Sequence, residues 1–191
     1  GEVGLYLGIT GRQVRAADAL YAGLADWCLP SNLLAEFDQC LDYLIWSTPP
    51  REALASLVAT LASNKIAGAE LKAFRPAIDE YFSLPDMQSI RTALLGETRP
   101  AFQDWAEETV KLIDSRSPLA MSVTLELLRR GRILPLDVCF ELELHLDRQW
   151  FAKGDIIEGV RSLLIDKDKC PRWNPPTLEA TSVEMARAFF A

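Results

Sequence analysis

The sequence has little that would support metal or disulfide chemistry. It contains one histidine and four cysteines in 191 residues. The cysteines, at Cys28, Cys40, Cys139 and Cys170, form no C-x-x-C pair, which excludes the usual zinc motifs and argues against a disulfide scaffold. We expect free, mostly buried thiols in a reducing compartment.

Positive charge and long apolar runs are also scarce. There are 20 lysines and arginines against 27 aspartates and glutamates, which gives a net charge of −7. A nucleic-acid-binding surface needs a basic excess, so neither DNA nor RNA is expected as a partner. No apolar run approaches the roughly 20 residues that cross a bilayer, and no secretory signal opens the chain, so we expect no membrane association.

Familiar phosphate-binding and nucleophile motifs are missing as well. Neither G-x-G-x-x-G nor G-x-x-x-x-G-K-[ST] occurs, and no G-x-S-x-G elbow presents a serine. A Ser-His-Asp triad stays open, because triads assemble in space rather than in sequence. The residues by themselves therefore indicate a folded domain without a self-contained active site.

The single histidine, His145, lies near several carboxylates in the stretch ELELHLDRQW. Glu141 shares a helix face with it, but no second histidine completes an H-E-x-x-H pattern, so we interpret His145 as a structural residue at the surface or half buried. A second acidic group is interpreted as solvated helix capping and salt bridging. It comprises Asp155, Glu158, Asp166 and Asp168.

Apolar residues at helical spacing are what the sequence has in abundance. Strand patterns are nearly absent, and only residues 25–30 (ADWCLP) favour a short extended segment. The pattern therefore predicts a mainly α-helical chain. In the first half we expect a helical stripe over residues 33–45 after an N-cap at Ser31, a helix from the Thr48-Pro49-Pro50 break to near Asn64, and short helices over 78–82 and 87–95 that follow Pro76 and Pro85.

In the second half we expect a helix over 100–115, one from the Ser117 N-cap to a left-handed cap at Gly131, a long one over 134–153 ending at Gly154, and a short one over 182–190.

Three stretches, taken in order, resemble the crotonase superfamily. Residues 4–30, GLYLGITGRQVRAADALYAGLADWCLP, resemble its helix, "LTG" turn and helix-strand unit. Gly11 would allow a sharp reversal there, and Gly23 would end a short helix. The matching positions are Thr10, Gly11, Ala16, Ala19, Gly23, Leu24 and Asp26.

The later stretches narrow the resemblance to 3-hydroxyisobutyryl-CoA hydrolases. Asp155, Glu158 and Gly159 match a D-x-x-E-G element, and its continuation EGVRSLLIDKDKCPRWNP resembles hydrolases more than hydratases. An insertion over roughly residues 47–115, which includes LASNK, is similar to the longer hydrolase-type members.

This resemblance implies the helical C-terminal region of a crotonase-like α/β fold, without the N-terminal β-β-α half. Residues 1–30 would be the end of the crotonase core (helix, turn, helix and short strand), and residues 31–191 a helical C-terminal domain. The family's oxyanion donors and acidic residues would precede Gly4, so no catalytic residue is assigned in this chain, which we expect to be inactive alone. The start at Gly1, without Met, also favours an excised piece.

The implied activity is hydrolysis of a short branched hydroxyacyl-CoA thioester, as in valine catabolism, with coenzyme A thioester as the substrate of the whole enzyme and no cofactor. Enoyl-CoA hydration or isomerisation is the alternative within the superfamily, and a helical interaction module is the alternative outside it. An acyl-CoA enzyme of this type would lie in the cytoplasm or the mitochondrial matrix. Helices that face a missing half would expose apolar surface, so we expect either self-association, such as a homo-oligomer, or altered packing of residues 1–30.

The resemblance also implies two contacts to the coenzyme A nucleotide. In hydratase relatives an aromatic and a lysine after the E-G element hold that nucleotide. Leu163 stands at the aromatic position, and Lys167 is displaced by one place from the matching lysine. We therefore take Lys167 and Lys169 as candidate phosphate contacts, with solvated lysines beside Asp166 and Asp168 as the alternative interpretation.

Overall fold

The structure is a computed structural model, and it describes residues 1–46, 49–62 and 66–191. Within these residues it is mainly helical and contains no β-strand. No described helix is long and apolar enough to cross a membrane. The α-helices are α1 (Val3–Thr10), α2 (Ala16–Ala22), α3 (Leu34–Asp42), α4 (Pro50–Leu61), α5 (Glu70–Phe82), α6 (Met87–Leu95), α7 (Gln103–Asp114), α8 (Pro118–Gly131), α9 (Leu136–Lys153), α10 (Ile156–Val160) and α11 (Val183–Arg187).

The chain divides into two compact units. The first comprises Gly1–Arg12 with Pro76–Ala191, and the second comprises Gln13–Arg75. The boundary predicted at residue 30 marks the end of the crotonase core and is a different kind of boundary from that between compact units. It stays a prediction.

Tyr6, on α1, is completely buried in the core of the first unit. Its ring meets Phe82 edge-on at 5.3 Å between centroids, and its hydroxyl accepts a hydrogen bond from Trp105 Nε1 at 3.2 Å. Aromatic side chains bury large areas and prefer such edge contacts. The hydroxyl also accepts from Arg12 Nη1 at 3.3 Å, so the polar end of this buried ring is bonded.

In the second unit a buried carboxylate joins two helices that are distant in sequence. Asp18, in the first turn of α2, accepts a hydrogen bond from the backbone N–H of Leu71 at 2.8 Å. Leu71 lies in the first turn of α5, where N–H groups have no partner within their own helix. Asp18 therefore caps α5 from 53 residues away.

Helix boundaries set by local signals agree with the sequence predictions. α6 spans Met87–Leu95 as predicted, with the Asp86 carboxylate accepting from Ser89 N–H. α4 begins at Pro50, and α8 begins at Pro118 after the Ser117 cap. Gly11 (φ 61°) and Gly23 (φ 72°) adopt the left-handed conformation at the ends of α1 and α2, as their positions predicted.

Three helix-end predictions are wrong. α5 runs through Pro76, because the burial of Ala77 and Ile78 just after it outweighs the loss of one backbone hydrogen bond. Gly131 is the last helical residue of α8 and not a left-handed cap, because the chain continues as a turn in which Ile133 N–H bonds the Arg130 carbonyl. Ser31 caps nothing with its side chain and instead opens a turn of 3₁₀-helix over Ser31–Leu33.

Two further expectations differ from the structure. Residues 25–30 form no strand, because a strand requires a hydrogen-bonded neighbour and the described residues offer none. The cysteines are free but not mostly buried: Cys28, Cys40 and Cys139 are half-buried, and Cys170 is exposed. Cys170 lies in a loop, where little apolar surface is available to cover it. Thr48 and Asn64, at the predicted ends of helices, lie outside the described residues.

Candidate functional site

A cavity of about 750 Å³ opens in the first unit. Its walls come from the end of α1, the start of α8, the end of α9, and the segment from α10 to Trp173. This volume is in the range that holds a small-molecule ligand. The lining residues are Gly8, Ile9, Gly11, Ser115, Arg116, Ser117, Ala120, Met121, Thr124, Trp150, Asp155, Ile156, Gly159, Val160, Ser162, Leu163, Leu164, Lys169, Pro171 and Trp173.

A buried hydrogen-bonded pair, Ser117 and Asp155, lines the cavity. Ser117 accepts from the backbone N–H of Ala120 at 3.0 Å and donates its hydroxyl proton to Asp155 Oδ2 at 2.6 Å. Asp155 Oδ1 accepts from the backbone N–H of Asn174 at 3.1 Å. Both oxygens of the carboxylate are therefore bonded. Asp155 is 9% exposed, so the expectation that it is a solvated charge is wrong. Ser117, which donates the hydrogen bond to Asp155, lies 38 residues earlier in the chain.

The other three acidic residues surround one cation, Arg161. Its guanidinium donates to both Glu158 oxygens at 2.7 and 2.8 Å, to Asp166 at 2.6 Å and to Asp168 at 2.7 Å. It also donates to the Cys170 carbonyl at 3.2 Å. The predicted salt bridging of these carboxylates is thus confirmed, and the sequence pattern missed only the arginine at its centre.

These bonds make Glu158 and Asp168 structural anions rather than proton carriers. Arg161, with help from the Arg172 backbone N–H, lowers the pKa of Glu158 from 4.5 to about 2. Arg161 also lowers the pKa of Asp168 from 3.8 to about 2, together with the Cys170 N–H and the Ser162 hydroxyl. A general acid or base works best with a pKa near the working pH. Glu158 and Asp168 are therefore poorly suited to proton transfer at neutral pH.

The two candidate phosphate-binding lysines occupy one exposed loop at the cavity rim. Lys167 (φ 56°) and Lys169 (φ 55°) both have left-handed backbones, and each follows an aspartate bonded to Arg161. Such conformations are unfavourable for residues with a Cβ and persist where neighbouring contacts enforce them. Lys169 lines the cavity, whereas Lys167 does not. Leu163 lies on the same rim. A coenzyme A contact for either lysine stays a prediction.

Glycines let two walls approach closely. At Gly8 a Cβ would lie 2.7 Å from Leu128 Cδ1 on α8, so the Leu128 side chain would have to shift. At Gly159 a Cβ would lie 3.5 Å from the Trp173 ring, which rests on this glycine. The D-x-x-E-G match pointed to Gly159, but no sequence signal placed Trp173 against it.

His145 has a structural partner, as its interpretation predicted. Its Nε2 lies 2.9 Å from the carbonyl oxygen of Phe189, and the ring is half-buried. Over the described ranges, no three His, Cys, Asp or Glu side chains come together in a way that would hold a metal ion.

The chain belongs to the enoyl-CoA hydratase/isomerase family, whose model matches residues 1–190. It is a crotonase-superfamily member close to 3-hydroxyisobutyryl-CoA hydrolases, which confirms the resemblance carried by its motifs.

The similar proteins differ in their described roles. The chain is 32% identical to the small ribosomal subunit protein mS47 of Arabidopsis thaliana, over all of this chain and 47% of that protein. It is 30% identical to the mitochondrial 3-hydroxyisobutyryl-CoA hydrolase-like protein 1 of the same plant, over all of this chain and 48% of the relative. The structure of a carnitinyl-CoA dehydratase from Mycobacterium thermoresistibile matches with a TM-score of 0.83 and 30% identity, over all of this chain and 52% of that one. The chain thus spans about half the length of the relatives it matches.

Replacing Ser117 should lower the stability of the folded chain, because two hydrogen bonds in the cavity wall are lost. Ser117→Ala removes the cap of α8 and one donor to the buried Asp155, so we expect the free energy of unfolding to fall by about 2 kcal/mol. Urea denaturation measures this loss. Ser122→Ala on the same helix, where the hydroxyl only bonds the Pro118 carbonyl, should change stability little. Equal losses in the two variants would contradict the role of the pair.

Removing Arg161 should change how stability depends on pH. Because Glu158 and Asp168 have lowered pKa values in the folded chain, their stabilising contribution is present above about pH 4.5 and is lost as pH falls through about 2. In Arg161→Met this acid-dependent part should largely disappear, so the decline in stability from pH 5 to pH 3 becomes shallower. Urea denaturation at several pH values tests this, with the exposed Arg148→Met as control. Identical slopes in wild type and Arg161→Met would refute it.

Proposed function

We propose that this chain is the helical C-terminal part of an enzyme that hydrolyses a short branched hydroxyacyl-CoA thioester, such as 3-hydroxyisobutyryl-CoA. The observation that carries the proposal is the match of the whole chain to about half of a protein described as a 3-hydroxyisobutyryl-CoA hydrolase-like protein. In the reaction, water adds to the thioester carbonyl carbon and the carbon–sulfur bond breaks. A carboxylic acid and the free coenzyme A thiol are released.

The chemical groups of the described residues favour a binding role for this chain. The cavity walls are largely apolar, both oxygens of the buried Asp155 carboxylate are bonded, and Arg161 bonds Glu158 and Asp168. Stabilisation of the charge that develops on the thioester oxygen commonly contributes more to acyl transfer than any other single effect. We propose that donors in the part of the enzyme preceding Gly4 supply it, while this chain forms one side of the acyl pocket.

Exposed apolar side chains support an assembly in which more protein covers this region. α9 and the segment after it carry many of them, and patches of this kind usually meet a partner. The covering surface would be the remainder of the enzyme or another subunit of a homo-oligomer. The side chains are Leu136, Phe140, Leu144, Phe151, Ile156, Ile157, Val160, Leu163, Leu164 and Ile165.

The cellular location is part of the proposal. A hydrolase-like relative is described as mitochondrial. We propose the same compartment for the enzyme that contains this chain. Its reducing environment agrees with the free cysteines.

Two other functions have specific support. One similar structure is that of a carnitinyl-CoA dehydratase, which favours hydration or dehydration of an acyl-CoA as a second candidate within the superfamily. Another relative is a ribosomal subunit protein, which favours a non-catalytic assembly role. The exposed apolar surface is compatible with this assembly role and with the two enzymatic proposals alike.

Assays on the full-length protein separate the three candidates. With 3-hydroxyisobutyryl-CoA we expect release of free thiol, followed with a thiol-reactive dye. Loss of the conjugated absorbance of crotonyl-CoA would instead identify a hydratase. Absence of both activities, together with co-sedimentation with small ribosomal subunits, would favour the assembly role and end the hydrolase proposal.

Lys169 should contribute to coenzyme A binding if it meets a phosphate group. In the full-length protein, Lys169→Ala should raise KM for the acyl-CoA about two- to fivefold at low salt, because an exposed ion pair contributes up to about 1 kcal/mol, and should leave kcat nearly unchanged. The effect should shrink as salt rises. Lys111→Ala, an exposed lysine on α7 away from the cavity lining, serves as control. The same KM in wild type and Lys169→Ala would remove Lys169 from the site.

A further inference from the structure

Trp150 forms one wall of the cavity, and its ring is held from two sides. It lies in the last turn of α9 and is half-buried. On one side the backbone of Gly154 approaches so closely that a Cβ there would lie 2.1 Å from the indole Cε3 atom. On another side the Phe189 ring packs at 4.5 Å between centroids, with the planes inclined by 44°.

Phe189 is itself fixed from several directions. It is 3% exposed and belongs to a core cluster with Leu119, Val123, Leu146 and Ala186. Its carbonyl oxygen lies 2.9 Å from His145 Nε2, and the Lys153 ammonium lies 4.8 Å from its ring centroid. Lys153 also donates to the Ala188 carbonyl at 2.9 Å. α9 therefore binds the backbone of the turn over Ala188–Phe190 and receives the Phe189 ring against Trp150.

The neighbouring aromatic residue makes a different contact. The Phe190 ring lies under the guanidinium of Arg130 on α8, 4.1 Å from its central carbon to the ring centroid. Phe190 thus shares the turn and the residue type of Phe189 without the indole contact that Phe189 makes.

We propose that Phe189 is the positioning residue for Trp150 and that, through this tryptophan, it sets the width of the cavity and so the size of the acyl group that fits. The first half of this proposal stands on the packing alone. The second half rests on the proposed acyl-CoA function. A smaller side chain at Phe189 leaves space behind the indole, and the ring can then withdraw from the cavity.

Fluorine NMR of protein labelled with 5-fluorotryptophan tests the positioning directly. The chain has five tryptophans, and Trp150→Phe identifies the signal of Trp150. In Phe189→Leu we expect this signal to shift or broaden while the signal of the buried Trp105 stays in place, which shows that the fold is retained. Phe190→Leu, the matched control, should leave the Trp150 signal unchanged. An unmoved Trp150 signal in Phe189→Leu would overturn the proposal.

A second pair of variants guards against loss of folding. If Phe189→Leu does not fold, the milder Phe189→Met replaces it in the same comparison. Gly154→Ala moves the ring from its other side, so the Trp150 signal should move there too, with Phe189 intact. If the Trp150 signal is unchanged in both of these variants, the proposal that Phe189 and Gly154 hold the indole in place is also refuted.

Selectivity of the full-length protein tests the consequence for ligand size. Relative to isobutyryl-CoA, binding of hexanoyl-CoA should improve in Phe189→Leu by about fourfold for each methylene group newly accommodated, with no change in Phe190→Leu. If both thioesters bind but the ratio of their affinities is the same in wild type and Phe189→Leu, the claim about cavity width is wrong. If wild type binds neither thioester, the acyl-CoA proposal fails, and the claim about ligand size fails with it. The fluorine spectrum still decides whether Phe189 positions Trp150.

Discussion

The cavity depends on one hydrogen bond, the contact between the Ser117 hydroxyl and the Asp155 carboxylate. It joins the start of α8 to the start of α10, two elements that the chain reaches 38 residues apart. The other oxygen of Asp155 accepts the N–H of Asn174, next to the cavity residue Trp173. A buried carboxylate is tolerated only when donors surround it. The position of each segment is therefore linked to the position of the other two.

Around this contact the charged side chains bond one another, and most of the cavity wall is apolar. Arg161 gathers Glu158, Asp166 and Asp168, and in doing so it shapes the loop that carries the two lysines. The remaining walls present mainly aliphatic and aromatic groups. Walls of this kind are suited to packing against apolar groups rather than to moving protons.

The sequence predicted features that depend on a few consecutive residues. The Ser117-Pro118 helix start and the left-handed Gly11 and Gly23 follow from local backbone geometry, and all three are present. Pro76 was misjudged because the packing of residues distant in sequence outweighs a local rule. The site was less predictable, since its parts meet only in the folded chain. No local pattern shows that one arginine is the common partner of three acids, or that the cavity tryptophan rests on a phenylalanine near the end of the chain.

Aspartate and lysine alternate in the loop after Arg161, from Asp166 to Lys169. Asp166 and Asp168 accept hydrogen bonds from the Arg161 guanidinium and stay exposed, and the left-handed Lys167 and Lys169 between and after them are exposed as well. The chain as a whole bears a net charge of −7 and repels anions. The single positive charge of Arg161 offsets one of the three negative charges of Glu158, Asp166 and Asp168, and Lys167 and Lys169 offset the other two. The loop therefore opposes the approach of a negatively charged molecule less than the chain as a whole does.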